Sequence, residues 1–124
     1  MPVTLNHTIV PAADHREAAR FFASVMGLPE LPPAGRRGHF LPVRVNETLT
    51  LDFMTVPDAE GHHLAFDVDR DTFDAILTRL QAADIPYGNS PTAPDNRRTD
   101  HPLCPRGLFF RDASHNLYEV MSAE

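Results

Sequence analysis

The chain has 124 residues, of which 42% are hydrophobic and 23% charged, and its formal net charge is −6 with histidines neutral. This length suits one globular domain, and the acidic balance argues against a general nucleic-acid-binding protein. No apolar run approaches the roughly 20 residues that cross a bilayer, and the first residues lack the pattern of a signal peptide. A lone cysteine, Cys104, excludes an internal disulfide and favours a reducing compartment. We therefore expect a cytoplasmic protein with no membrane partner.

The first half of the chain predicts a strand, a helix and two further strands. Asp14 is typical of a helix N-cap and Gly27 of the C′ position that ends a helix. Between them, apolar residues recur at the helical spacing: Ala18, Phe21, Phe22 and Val25. The strands expected in this half are residues 3–10, 39–45 and 48–56, with a turn at Asn46-Glu47 between the last two.

The second half predicts the same order of elements. Residues 62–68 have strand character, and Asp69 or Asp71 can cap the helix that follows. The apolar stripe of that helix is Phe73, Ile76, Leu77 and Leu80. After a proline-rich loop, residues 86–107, two apolar runs around a polar turn predict a terminal hairpin. The chain is thus expected to be an α+β protein built from an internal repeat.

Three residues in strand-like settings have side chains that can bind a metal. Glu119 interrupts the final apolar run, and burying an unpaired carboxylate costs several kcal/mol. His7 and His63 lie in comparable short apolar runs, and the three positions are evenly spaced. Two imidazoles and one carboxylate form a facial triad for Fe(II), also usable by Mn(II), Ni(II) or Zn(II). His62 points to the opposite strand face from His63, and a register slip of one residue would exchange them.

Four segments of the sequence resemble the vicinal oxygen chelate superfamily, which contains glyoxalase I, extradiol dioxygenases, fosfomycin-resistance enzymes and bleomycin-resistance proteins. The segments are LNHTIV, the helix end VMGL, HHLAF and FFRDASHNLYEVM. The resemblance implies two βαβββ modules, about residues 1–57 and 58–124, forming a curved mixed sheet that is an incomplete barrel. It also implies a divalent metal on His7, His63 and Glu119, and a homodimer.

Two further features follow from this resemblance. Asp52 occupies the place in the first module that Glu119 holds in the second, because LDFM aligns with YEVM. Glyoxalase-type members use a fourth ligand there, so Asp52 is either that ligand or a solvated acid. The end of the chain also matches part of the extradiol dioxygenase pattern, at His101, Leu108, Asp112 and Glu119. It departs from the pattern at Phe109 for Tyr, Ala113 for Pro and His115 for Gly.

The resemblance implies a metal-dependent enzyme whose small-molecule substrate, anionic or aromatic, binds the metal through adjacent oxygens. We expect a dioxygenase- or lyase-like activity, with His101 as a catalytic acid or base. The alternative is a protein of the bleomycin-resistance kind, which sequesters a ligand without catalysis. The missing tyrosine hydroxyl at Phe109 argues against ordinary extradiol cleavage.

Overall fold

In a computed structural model of the chain, residues 2–124 are described and fall into two compact units, whose boundary along the sequence lies between Gly61 and His62. The first unit contains β1 (His7–Ala12), α1 (His15–Met26), β2 (Phe40–Arg44) and β3 (Thr50–Thr55). The second contains β4 (His63–Asp67), α2 (Arg70–Ala82), β5 (Arg106–Arg111) and β6 (Leu117–Ser122). The expected α+β class is confirmed. No helix within residues 2–124 is long and apolar enough to span a membrane.

Each unit forms a mixed three-stranded sheet with the same topology. The strand order is β1-β3-β2 in the first sheet and β4-β6-β5 in the second. In both, the central strand is parallel to the first strand of its unit and antiparallel to the other. The register also repeats, because Ile9 pairs with Asp52 as Ala65 pairs with Glu119. The internal repeat expected from the sequence is therefore present down to the pairing of single residues.

Both helices begin with an aspartate cap, as the sequence predicts. The carboxylate of Asp14 accepts hydrogen bonds from the backbone N–H groups of Arg16 and Glu17, and Gly27 ends α1 in the left-handed conformation at φ 70°. Of the two candidates for α2, the cap is Asp69, which accepts from the N–H of Thr72 at 2.8 Å. These caps satisfy N–H groups that have no partner inside the helix.

The expected βαβββ modules have one strand fewer than the pattern suggests. Directly after each helix the extra strand is reduced to an isolated bridge: Glu30 with Val43 in the first unit and Gly88 with Phe109 in the second. At the second bridge Gly88 and Phe109 exchange backbone hydrogen bonds of 3.1 and 2.7 Å. A Cβ at residue 88 would lie 2.2 Å from the carbonyl oxygen of Ala93, so only glycine fits there.

The apolar core of the second unit lies between α2 and one face of its sheet. Strand residues alternate between the two faces. The buried stripe of α2 and the buried residues of one sheet face supply this core: Phe73, Ile76, Leu80, Leu108, Phe110, Tyr118 and Val120. The opposite face of the sheet carries Gly107, Phe109 and Glu119, and the candidate site lies there.

Candidate active site

Strand β6 places Glu119 at the middle of the second sheet. Its neighbours in register are Ala65 on β4 and Phe109 on β5. Because Tyr118 and Val120 point into the core, the side chain between them points to the other face. This alternation directs the carboxylate away from α2.

The carboxylate of Glu119 lies between two imidazoles. Oε1 is 2.9 Å from Nε2 of His63, and Oε2 is 2.6 Å from Nε2 of His101. The Glu119 side chain is 10% exposed, and in the part of the chain that the structure describes no lysine or arginine forms an ion pair with it. Hydrogen bonds to a charged group are shorter and stronger than neutral ones, and these two offset the cost of burying the carboxylate.

The two histidines are held very differently. The His101 side chain is 3% exposed, and its Nδ1 accepts a hydrogen bond from the backbone N–H of Leu103 at 3.0 Å. Its ring stacks on Phe109 with centroids 5.8 Å apart and an interplanar angle of 17°. The His63 side chain is 51% exposed, and its ring is tilted by 50° from Phe109 at 6.0 Å. His101 is thus a fixed group, whereas His63 faces solvent.

The other histidines named by the sequence occupy simpler places. His7 is exposed on β1 in the first unit, where its Nδ1 lies 2.8 Å from Oδ1 of Asn6. His62 is exposed and precedes β4, and its backbone N–H donates to Oδ1 of Asn116 at 2.8 Å. The register therefore gives His63, not His62, to the carboxylate. The half-buried Asp52 lies on β3, at the position equivalent to that of Glu119.

The donor types at Glu119 suit a divalent metal, although the described side chains are arranged as hydrogen-bonded pairs. Among residues 2–124, no group of three or more His, Cys, Asp or Glu side chains is placed to hold a metal ion. Imidazole nitrogens and carboxylate oxygens are nevertheless the ligands that first-row divalent metals prefer. The structure brings His63 and Glu119 together, as the sequence predicts, and His101 contacts the same carboxylate. His7 belongs to the first unit.

A buried polar network fixes the turn that leads into β6. The carboxylate of Asp112 accepts hydrogen bonds from the backbone N–H groups of Ser114 and Asn116, from Nδ2 of Asn116 and from the hydroxyl of Tyr118, all at 2.9 to 3.0 Å. Burial raises the pKa of the Tyr118 phenol well above its usual range, and the neighbouring Asp112 charge raises it further. The network holds Asn116, and through it β4, against the start of β6.

The sequence did not indicate the role of Gly107, whose lack of a side chain leaves room for the His101 ring. A Cβ at residue 107 would lie 2.5 Å from Cδ2 of the His101 ring. The sequence placed Gly107 at the end of the expected loop, residues 86–107, whereas the structure places it inside β5, where a glycine often marks a close approach. Two arginine pairs in the long loops, Arg36-Arg37 and Arg97-Arg98, are exposed, and Arg98 forms an ion pair with Asp100 at 2.8 Å. Cys104 is half-buried, with its Sγ 2.9 Å from the carbonyl oxygen of Arg106.

No protein-family profile and no curated protein sequence matches this chain. Solved structures do match it along nearly its whole length. Oxidase ChaP-H2 has 34% identity and a TM-score of 0.89, with 98% of this chain and 94% of that chain covered. Oxidase ChaP-H1 has 30% identity and a TM-score of 0.88, with 98% and 96% covered. A glyoxalase/dioxygenase from Nostoc punctiforme has 21% identity and a TM-score of 0.71, with 96% and 90% covered.

These likenesses agree with the four sequence segments and with the repeated topology of the two sheets. The two oxidases are similar in sequence as well as in fold, whereas the glyoxalase/dioxygenase shares the fold. The chain belongs to the vicinal oxygen chelate superfamily.

Proposed function

We propose that this protein is a divalent-metal-dependent enzyme that acts on a small molecule bound through adjacent oxygens, with oxidase or dioxygenase chemistry favoured over lyase chemistry. One observation carries the proposal: the buried carboxylate of Glu119 lies between two imidazoles on the sheet face opposite the helix. The likeness to two oxidases at 34% and 30% identity supports the choice of oxygen chemistry.

The residues that would hold the metal are His7, His63 and Glu119. Bound there, iron, manganese, nickel or zinc would stabilise negative charge on the substrate oxygens, and a redox-active ion would also supply electron transfer to oxygen. The half-exposed ring of His63 can reorient to release its Nε2 from Glu119. Asp52 is shorter than Glu119 by one methylene and forms no hydrogen bond with a histidine in the described part of the chain, so we leave it out of the ligand set.

The neighbouring residues of this chain favour an aromatic or otherwise planar substrate. Phe109 forms an apolar surface beside both imidazoles and is 4% exposed. A phenylalanine here offers no hydroxyl for a hydrogen bond to an intermediate, and only the small exposed part of its ring is available for contact with a substrate. The acid or base role of His101 remains a prediction.

We also propose a homodimer in a reducing, cytoplasmic compartment. The strands β1 and β4 each pair on one side only within their three-stranded sheets. Unpaired strand edges favour association with another chain unless they are covered. The lone cysteine supports a reducing location.

The function is tested by metal-dependent turnover. Protein freed of metal with a chelator is loaded in separate samples with Fe(II), Mn(II), Ni(II) or Zn(II) and mixed with catechols, ortho-hydroxyquinones and 2-hydroxyketones. We expect oxygen consumption on an electrode with a redox-active metal, and its loss in Glu119→Gln. Tight binding of a ligand without turnover, unaffected by metal removal, would overturn the proposal in favour of the sequestering alternative.

A further inference from the structure

We propose that His101 acts through Glu119, as a fixed N–H donor that holds one carboxylate oxygen, and that it does not exchange protons with substrate. This inference rests on the proposed function for the importance of Glu119. His101 is then a positioning residue and not a catalytic acid or base. Leu103 and Gly107 contribute to this role because they hold the His101 ring in place.

The hydrogen bonds of the ring decide where its proton lies. The backbone N–H of Leu103 can only donate, and it points at Nδ1 of His101 at 3.0 Å. Nδ1 is therefore the unprotonated acceptor, and the neutral imidazole carries its hydrogen on Nε2. That nitrogen lies 2.6 Å from Oε2 of Glu119, so Nε2–H donates to the carboxylate. Both ring nitrogens are occupied, and neither has a lone pair available for a substrate proton or a metal.

The ring has little freedom to leave this arrangement. Gly107 lies against one part of it, where a Cβ would come within 2.5 to 2.7 Å of Cδ2, Cγ and Cβ of His101. Phe109 stacks on it nearly in parallel, and the side chain is 3% exposed. A bridge between His101 and Cys104 closes the turn that contains Leu103. Ring, turn and sheet thus hold the donor in place before any ligand binds.

The two oxygens of the Glu119 carboxylate consequently have different roles. Oε2 is taken by the fixed donor His101, and Oε1 faces His63, whose side chain is half exposed. Oε1 is therefore the oxygen of Glu119 that would become available for binding when His63 turns away. Of the two histidines beside the carboxylate, only His63 can give up its hydrogen bond by turning toward solvent.

The first test measures the tautomer directly. Long-range ¹H–¹⁵N correlation spectra of the metal-free protein distinguish Nε2–H from Nδ1–H imidazoles, and His101→Gln identifies the signal that belongs to residue 101. We expect His101 to be wholly the Nε2–H tautomer, and Leu103→Ala, which keeps the backbone N–H and removes an 80% exposed side chain, to leave it unchanged. An Nδ1–H tautomer or a mixture at His101 would overturn the proposal whatever the enzyme does.

The second test separates a donor from an acid or base. Glutamine at residue 101 keeps an N–H donor at the end of the side chain but cannot carry a proton to or from substrate. We expect His101→Gln to bind metal within about threefold of the wild type, and His101→Ala to bind it about 10- to 100-fold more weakly. Turnover should follow metal occupancy in both. Unchanged metal affinity in both variants, with turnover lost in both, would show that His101 acts on substrate and would overturn the proposal.

A failure of the proposed function gives a different result. If the wild-type protein took up no metal, the ligand assignment would fall, while the tautomer spectrum would still report on His101 and Glu119. Circular dichroism of His101→Gln and His101→Ala checks that both variants are folded before their metal affinities are compared.

Discussion

Asp52 and Glu119 occupy equivalent places in the two sheets, yet their surroundings differ. Each lies on the central strand of its sheet. Asp52 pairs with Ile9, two residues after His7, and Glu119 pairs with Ala65, two residues after His63. Only at Glu119 does an imidazole reach the carboxylate within residues 2–124. The two acids have equivalent backbone positions but different polar contacts. Substitutions at Asp52 and Glu119 can therefore be compared to find what each carboxylate contributes.

The first prediction compares Glu119→Gln with Asp52→Asn, the same chemical change at the two equivalent positions. We expect Glu119→Gln to weaken metal binding by more than about tenfold, since a neutral amide is a poorer ligand than a carboxylate. Asp52→Asn should bind metal within about threefold of the wild type. Even the loss of a residue that only hydrogen-bonds to a metal ligand typically weakens metal binding by about 10- to 100-fold. Both are measured by metal titration. Equal losses in the two variants would make Asp52 a fourth ligand, and no loss in Glu119→Gln would remove it from the site.

The second prediction uses the adjacent histidines of β4. His63→Ala removes the imidazole next to Oε1 of Glu119 and should reduce metal content to background while the protein remains folded. His62→Ala removes an exposed ring whose residue contacts Asn116 through its backbone alone, so metal content should be unchanged. Elemental analysis of the two purified variants makes the comparison. A loss of metal in His62→Ala with retention in His63→Ala would mean that the register of β4 assigns the wrong residue.

The third prediction concerns the space that Gly107 leaves for His101. Gly107→Ala should lower the free energy of unfolding by about 1–3 kcal/mol, because the added Cβ overlaps the imidazole. In a His101→Gly background, which lacks the Cβ as well as the ring, the overlap is gone, and the same substitution should cost less than about 0.5 kcal/mol. Urea unfolding of the four proteins closes the double-mutant cycle. Equal costs in both backgrounds would show that the glycine is needed for its backbone and not for the histidine.

The fourth prediction concerns the buried network at Asp112. Tyr118→Phe removes one of the hydrogen bonds to a buried carboxylate and should destabilise the protein by about 1.5–3 kcal/mol. Because folding raises the pKa of the Tyr118 phenol, this stabilisation is fully present below the unfolded value of 10.0 and is lost as pH rises above it. Urea unfolding between pH 7 and 11 should therefore show a steeper alkaline loss in the wild type than in Tyr118→Phe. Parallel pH profiles would contradict the assignment.

Much of the fold follows from local signals in the sequence. The caps Asp14, Gly27 and Asp69 act on backbone groups within a few residues, so their effect can be predicted without knowing the tertiary structure. The direction of the Glu119 side chain was predictable for a similar reason. Successive residues of a strand point to opposite faces, so a buried residue next to Glu119 places its side chain on the face away from the core. The reduced strands at Glu30 and Gly88 were not, since a single bridge leaves no periodic pattern.

The contacts of His101 lay beyond sequence reasoning. Its approach to Glu119 depends on where the proline-rich loop turns back, on one backbone N–H at Leu103 and on the absence of a side chain at Gly107. None of these is a pattern of hydrophobic or charged residues. The extradiol-like pattern did identify His101 as a residue of interest, but only the hydrogen bonds at both ring nitrogens indicate what it does.

The measurement that tests the central claim most directly is the metal content of wild-type protein purified without a chelator or a histidine tag. We predict close to one equivalent of iron, manganese, nickel or zinc per chain by elemental analysis, and its identity would separate oxygen chemistry from Lewis-acid chemistry. A protein that contains no metal, and takes none up when each of the four ions is titrated into it, would contradict the account and would leave a ligand-sequestering protein as the better explanation.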